Sequence, residues 1–258
     1  MKTSTWMGSR HLSSTEGTTF TRGARSLAAA LATVALLAFA AGDVYGQVGN
    51  EGIKDTKHNF SASSGRNASF TDLSLDVADY GEICVYCHTP HGGQINAPLW
   101  NRQFTTSTFT MYNDASGGSS DLDMTFATQP TGVSLACLSC HDGTIGIDVI
   151  INKPNGSSAT SIGSTLQDIY GGVDPDSLKI LGTDLRNDHP ISMVYDPTKD
   201  GQFSSVASVT GAGLKLFNDA AGTNVVQCAT CHNPHTKNPT FLRIANTGSA
   251  LCLTCHNK

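Results

Sequence analysis

Cys84-Val85-Tyr86-Cys87-His88 is a five-residue word that returns as Cys137-Leu138-Ser139-Cys140-His141, Cys228-Ala229-Thr230-Cys231-His232 and Cys252-Leu253-Thr254-Cys255-His256. The four copies use all 8 cysteines of the chain. A bare Cys-x-x-Cys also serves zinc sites, disulfide frameworks and thioredoxin-like redox pairs, but none of these depends on the residue after the second cysteine. With 9 His among 258 residues, a histidine at all four following positions has a chance of (9/258) to the fourth power, roughly one in a million. The pattern is that of covalent c-type haem, in which two thiols form thioethers to the porphyrin and the adjoining imidazole binds iron from the same side. Four words predict four haem c groups, with His88, His141, His232 and His256 as proximal iron ligands. No thiol is left over for a structural disulfide.

The words alternate in type. The first and third continue as His88-Thr89-Pro90-His91 and His232-Asn233-Pro234-His235, whereas the second and fourth read Cys-Leu-x-Cys-His with no second histidine. This A, B, A, B order points to two halves descended from one two-haem unit, although the leading cysteines are 53 residues apart in the first pair and 24 in the second (137 minus 84, 252 minus 228).

Four histidines outside the leader remain once the proximal ones are set aside: His58, His91, His189 and His235. Their number equals the number of sixth coordination positions to be filled. Six-coordinate iron has no open position for substrate and favours electron transfer over catalysis. Met111, Met124 and Met193 are the axial alternatives, and a His/Met pair would raise the potential of its haem. His91 lies too close to His88 to pass around the porphyrin edge to the far side of the same iron, so it is expected to serve another haem. The same holds for His235 relative to His232. His189 sits in the proline-fixed loop Asn187-Asp188-His189-Pro190.

The rest of the chain sets the context. Residues 1–46 read as a signal peptide: Arg22 and Arg25 precede the apolar run Leu27 to Ala41, and Val44 and Gly46 supply a cleavage pattern before Gln47. That run is shorter than the ~20 residues needed to span a bilayer, so no membrane span is expected in the mature chain. Mature residues 47–258 would carry 12 Lys plus Arg and 19 Asp plus Glu, a formal charge of −7, after the leader's 4 basic and 2 acidic residues are subtracted. A polyanion such as nucleic acid finds no basic face here. Export suits c-type attachment, which takes place outside the cytoplasm, and the mature chain is expected to be extracellular or at the cell surface, alternatively in the periplasm.

Residues 47–80 form a polar arm carrying His58. Residues 81–258 form the tetrahaem domain, with two-haem halves at 81–145 and 225–258 and a long insert at 146–224. Only 39% of residues are hydrophobic, so the expected fold is a multihaem cytochrome c: a mostly irregular chain with a few short α-helices and a minor β-hairpin, wrapped around stacked haems. Ser134–His141 reads as a helix stopped by Gly143. The alternating stretch Ser204–Phe217 reads as a hairpin turning near Gly211 and Gly213.

At these residues the chain resembles the tetrahaem extracellular cytochromes that polymerise into conductive filaments, the OmcE-type cytochrome nanowires. The resemblance rests on Cys84 to Gly92, on Asn187-Asp188-His189-Pro190-Ile191, on Gln227 to His235 and on the closing stretch Leu242 to Lys258. It implies bis-histidine haems in a continuous stack, self-association, redox-partner cytochromes, and one sixth ligand donated by the adjacent subunit. By position, His58 is the candidate for that donated ligand. Two other readings use the same words: a monomeric periplasmic tetrahaem shuttle that hands electrons to a reductase, and a multihaem reductase. The second would need a five-coordinate iron, against which the complete set of spare histidines argues.

Overall fold

The computed structural model describes residues 52–61, 77–94, 96–112, 124–154, 156–169 and 180–257. The chain divides into the units Met1–Gly49 and Asn50–Lys258, and every described residue belongs to the second. The signal-peptide expectation therefore lies outside the described residues. Among those described, no helix is long and apolar enough to cross a membrane.

Regular elements are short, as the polar, glycine-rich composition favours. The helices are α1 (Gly132–His141), α2 (Leu166–Ile169), α3 (Val206–Gly211), α4 (Cys228–Cys231) and α5 (Ala250–Cys255). Strands β1 (Met193–Val194), β2 (Phe217–Asp219) and β3 (Gly222–Val226) form an antiparallel sheet in the order β1-β3-β2. Helix α1 covers the expected Ser134–His141 and begins two residues earlier. It stops at Gly143, whose φ of 76° suits a residue without a Cβ and whose N–H bonds to the Cys140 carbonyl at 3.1 Å.

The hairpin lies elsewhere than expected. Residues 206–211 are helical because Ser205 caps them, its side chain accepting from the Ser208 N–H at 3.1 Å, and because Val209 is fully buried. The capping signal Ser205-x-x-Ser208 outweighs the period-two alternation. The hairpin is β2–β3, just downstream, where β-branched Val225 and Val226 supply the strand-forming side chains.

Apolar side chains gather in three small clusters rather than in one core. The first holds Val77, Ala78, Tyr80, Val85, Tyr86 and Ile147; the second holds Met193, Tyr195, Val209, Leu214 and Val226; the third holds Phe109, Met111, Leu138 and Leu185. Each cluster contains or touches part of a Cys-x-x-Cys-His word: Val85 and Cys87, Cys255, and Leu138 respectively.

A buried carboxylate fastens the first cluster. Asp148 is 0% exposed and accepts from the backbone N–H groups of Ala78 (2.8 Å), Ile162 (2.7 Å) and Gly163 (2.9 Å) and from the Ser161 hydroxyl (2.9 Å). Burial pushes its pKa up, but these four donors outweigh burial and hold it below the ordinary carboxylate value. A depressed carboxylate stabilises the fold above its unfolded pKa and loses that contribution as the pH falls through the unfolded and then the folded value. Asp148→Ala removes the acceptor of one buried and two part-buried N–H groups and is expected to cost about 2 kcal/mol in chemical denaturation. The deficit should shrink below about pH 4, where the carboxylate of the unfolded chain takes up protons and the folded one follows at lower pH.

Candidate haem sites

Each word lies on a helical turn, which brings its two cysteines to one side at i and i+3 with the histidine next in line. Word two ends α1, word three forms α4, word four ends α5, and word one is the 3-10 turn Cys84–Tyr86. Words one and three, the A-type copies, fold alike beyond the turn. His88 forms an antiparallel bridge with Trp100, and His232 with Leu242. The Thr89 N–H bonds to the Leu99 carbonyl (2.9 Å) as the Asn233 N–H does to that of Phe241 (2.7 Å). The Asn101 N–H bonds to the Cys87 carbonyl (2.9 Å) as the Arg243 N–H does to that of Cys231 (2.8 Å). Even the side chains correspond: Asn101 Nδ2 donates to the Val85 carbonyl at 2.7 Å and Arg243 Nε to the Ala229 carbonyl at 2.8 Å. Both copies hold a non-glycine residue at positive φ just before the bridge, Leu99 at 52° and Phe241 at 59°. Such backbone costs on the order of 1–3 kcal/mol and persists only where surrounding contacts impose it.

The repeated loop orients the imidazole. His88 Nδ1 lies 2.8 Å from the Pro98 carbonyl and His232 Nδ1 lies 2.9 Å from the Thr240 carbonyl. A carbonyl can only accept, so Nδ1 carries the proton and Nε2 presents its lone pair. This is the arrangement in which histidine binds a metal. His189 Nδ1 makes the same kind of bond to the Pro190 carbonyl at 3.0 Å.

Three pairs of imidazoles stand close together, His88 and His235 with near-parallel rings and the other two pairs edge-on. His88 and His235 have ring centres 6.0 Å apart, His58 and His141 6.2 Å, and His189 and His256 6.5 Å. Metal–imidazole bonds of about 2.0–2.1 Å, with ~1.1 Å from ring nitrogen to ring centre, put two imidazoles on one metal at about 6.3 Å. The spacing thus fits one metal ion between each pair. Every pair joins a word histidine to one of the spare histidines, and His235, which flanks word three, meets His88 of word one. His91 and His232 are the two expected ligands outside these pairs, and both are exposed.

His58 is seated in its own chain. Its ring stacks on Phe241 at 4.3 Å and meets His141 edge-on. Burial first, then neighbouring His141, lowers its pKa to about 4 against an opposing hydrogen bond with the Pro234 backbone, so the ring is neutral, as a ligand must be. The arm reaches this position through the turn Ile53–Asp55, tied to the body by the Gly52 N–H on the His235 carbonyl (2.9 Å) and by Lys237 on Asp55 (2.6 Å).

Buried polar groups couple one word to the next. Asn101 holds word one through Val85, and Arg102 Nη2 reaches the Ser139 carbonyl inside word two at 3.0 Å. The Ser134 hydroxyl bonds to Gln227 Oε1 and receives the Cys228 N–H at 3.0 Å, joining words two and three. Gln227 Nε2 donates in turn to Asp219 (2.6 Å) and Thr131 (3.1 Å). Word four is held by the Tyr195 hydroxyl on the Cys255 carbonyl at 3.3 Å. None of these residues stood out in the sequence; the one legible signal was an Asn or Arg soon after each A-type word.

Burial pushes the Cys87 thiol up to about 12 and Cys231 to about 11, and a hydrogen bond to Cys228, reinforced by burial, raises Cys137.

Among the described residues, three buried side-chain polar atoms have no hydrogen-bond partner: His58 Nδ1, Trp100 Nε1 and Asp188 Oδ2. All three lie at the pairs, since Trp100 stands edge-on to His88 at 5.9 Å and Asp188 precedes His189. Among the described residues no group of three or more His, Cys, Asp or Glu converges on a common point, as a zinc site would need. The methionines are engaged in packing: Met111 and Met193 are buried in apolar clusters and Met124 packs on the second.

Residues 221–258 match the family described as a doubled CXXCH motif. That span holds words three and four. No curated protein matches the chain. The doubled motif is a feature of multihaem c-type cytochromes: it indicates covalently bound haem c and an electron-transfer role for the chain. Gln227→Ala leaves the Cys228 N–H on Ser134 in place but removes the buried Gln227 bonds to Ser134, Thr131 and Asp219. It is expected to destabilise the protein by about 2–3 kcal/mol, read as a shifted denaturation midpoint with unchanged haem content.

Proposed function

We propose that this chain carries electrons through four c-type haems, each ligated by two histidines, as the repeating subunit of a conductive extracellular filament. The observation that carries the electron-transfer reading is the set of three imidazole pairs at 6.0–6.5 Å. Each pair supplies two imidazole ligands from distant parts of the sequence and leaves no coordination position for substrate. When bound, haem iron supplies a one-electron couple. The chain's own residues set the ligands, fix their tautomers through Pro98, Thr240 and Pro190, and hold the attachment words at fixed separations. The cysteines attached are Cys84, Cys87, Cys137, Cys140, Cys228, Cys231, Cys252 and Cys255.

His232 calls for a fourth partner, and His91 is the spare histidine left to supply it. Both are exposed, which supports a ligand exchanged between neighbouring subunits. With His58 seated against His141, the ligand donated in trans is assigned to His91. One observation favours the monomeric shuttle as second reading: the N-terminal arm, which could have reached a neighbour, spends its histidine within its own chain.

Electron cryomicroscopy of haem-loaded protein released from the cell surface tests the filament. Long fibres with an uninterrupted haem row are expected, whereas compact monomers with every iron ligated from one chain would establish the shuttle. His58→Ala is expected to turn about one quarter of the haem high-spin and reactive with carbon monoxide while fibres persist. His91→Ala is expected to abolish fibres; long fibres from that variant would sink the donated-ligand assignment.

A further inference from the structure

Arg102 is the largest fully buried side chain among the described residues, 1% exposed, and it lies between words one and two. Nη2 donates to the carbonyls of Ser139 (3.0 Å) and Gly146 (2.7 Å), Nε to the Ser139 hydroxyl (3.3 Å), and Nη1 to the Ile147 carbonyl. Every one of these acceptors is neutral. Among the described residues no carboxylate forms an ion pair with it. The nearby buried carboxylate, Asp148, spends its oxygens on Ala78, Ile162, Gly163 and Ser161.

A buried guanidinium without a counter-charge is expensive, and mere bridging of two loops could be done by a neutral amide. The second A-type copy makes the comparison. There the residue after the bridge is Arg243, half-buried and bonded to the Ala229 carbonyl, while the position matching Arg102 is Ile244, an apolar member of the second cluster. The repeat therefore folds without a fully buried cation, and its presence at words one and two needs a separate reason.

We propose that Arg102 is a potential-setting residue, its fully buried charge, bonded directly only to neutral acceptors, favouring the reduced state of the haem attached at word one or word two. This rests on the words being haem sites. Reduction adds one negative charge to the iron, which a fixed positive charge stabilises, and inside the protein that attraction is poorly screened by solvent or salt. Electrons crossing the chain would then dwell in the first half.

The test uses haem-loaded full-length protein, with haem counted by intact mass and the individual potentials followed by spectroelectrochemical titration. Arg102→Gln is expected to lower the reduced-to-oxidised ratio of one haem about tenfold at fixed electrode potential, a shift of about 59 mV for one electron. Arg102→Lys, which keeps the charge and loses the fork, should hold the native value. Ser139→Asp, which sets a carboxylate against the guanidinium, should lower the same potential with Arg102 in place. Should Arg102→Gln fail to accumulate, Ser139→Asp and the unaltered protein decide: site-resolved reduction must begin at the haem of word one or two. Unchanged potentials in loaded Arg102→Gln or Ser139→Asp, a lysine variant shifted as far as the glutamine one, or first reduction at word three or four would overturn the proposal. Absence of haem mass on the words would instead defeat the haem reading itself.

Discussion

Two imidazoles held about one metal ion apart form the constraint on which the rest of this molecule depends. The spacing recurs at His88/His235, His58/His141 and His189/His256, between residues as much as 147 positions apart (235 minus 88). Nothing in the hydrophobic effect would select a 6 Å gap between two polar rings, since burial is indifferent to such detail. Directional contacts select it instead. Carbonyls at Pro98 and Pro190 fix the proton on Nδ1 of His88 and His189, and strained backbone at Leu99 brings the first of those loops into place.

Because the described residues pack into several small apolar clusters, their order is built from polar bonds buried among them. Asn101 and Arg102 join words one and two, Ser134 and Gln227 join words two and three, and Tyr195 steadies word four. Hydrogen bonds in a low-dielectric setting are costly to leave unmade, so such links specify a geometry more sharply than apolar contact does. That property suits an electron carrier, where the separation of redox centres matters more than the depth of the core.

The A-type copies show how the repeat was put to use. Their backbones coincide bond for bond around His88 and His232, yet the first carries Trp100, Asn101 and Arg102 where the second carries Leu242, Arg243 and Ile244. The shared part orients an imidazole. The differing part places a fully buried charge at one copy only, so two equivalent attachments acquire unequal surroundings.

The sequence by itself determined the attachment chemistry, because Cys-x-x-Cys-His is local: two thiols and an imidazole within five residues need only one helical turn to act together. It also singled out His58, His91, His189 and His235 as candidate ligands, and determined the helix ending at His141, whose stop at Gly143 is likewise local. It misplaced the hairpin, since alternation at 204–217 competes with a serine cap that wins only once Val209 has something to bury against. Pairing was beyond it altogether. Which spare histidine meets which word, and that His58 folds back onto His141, is decided by contacts between segments far apart in the chain, and only the tertiary structure holds those distances.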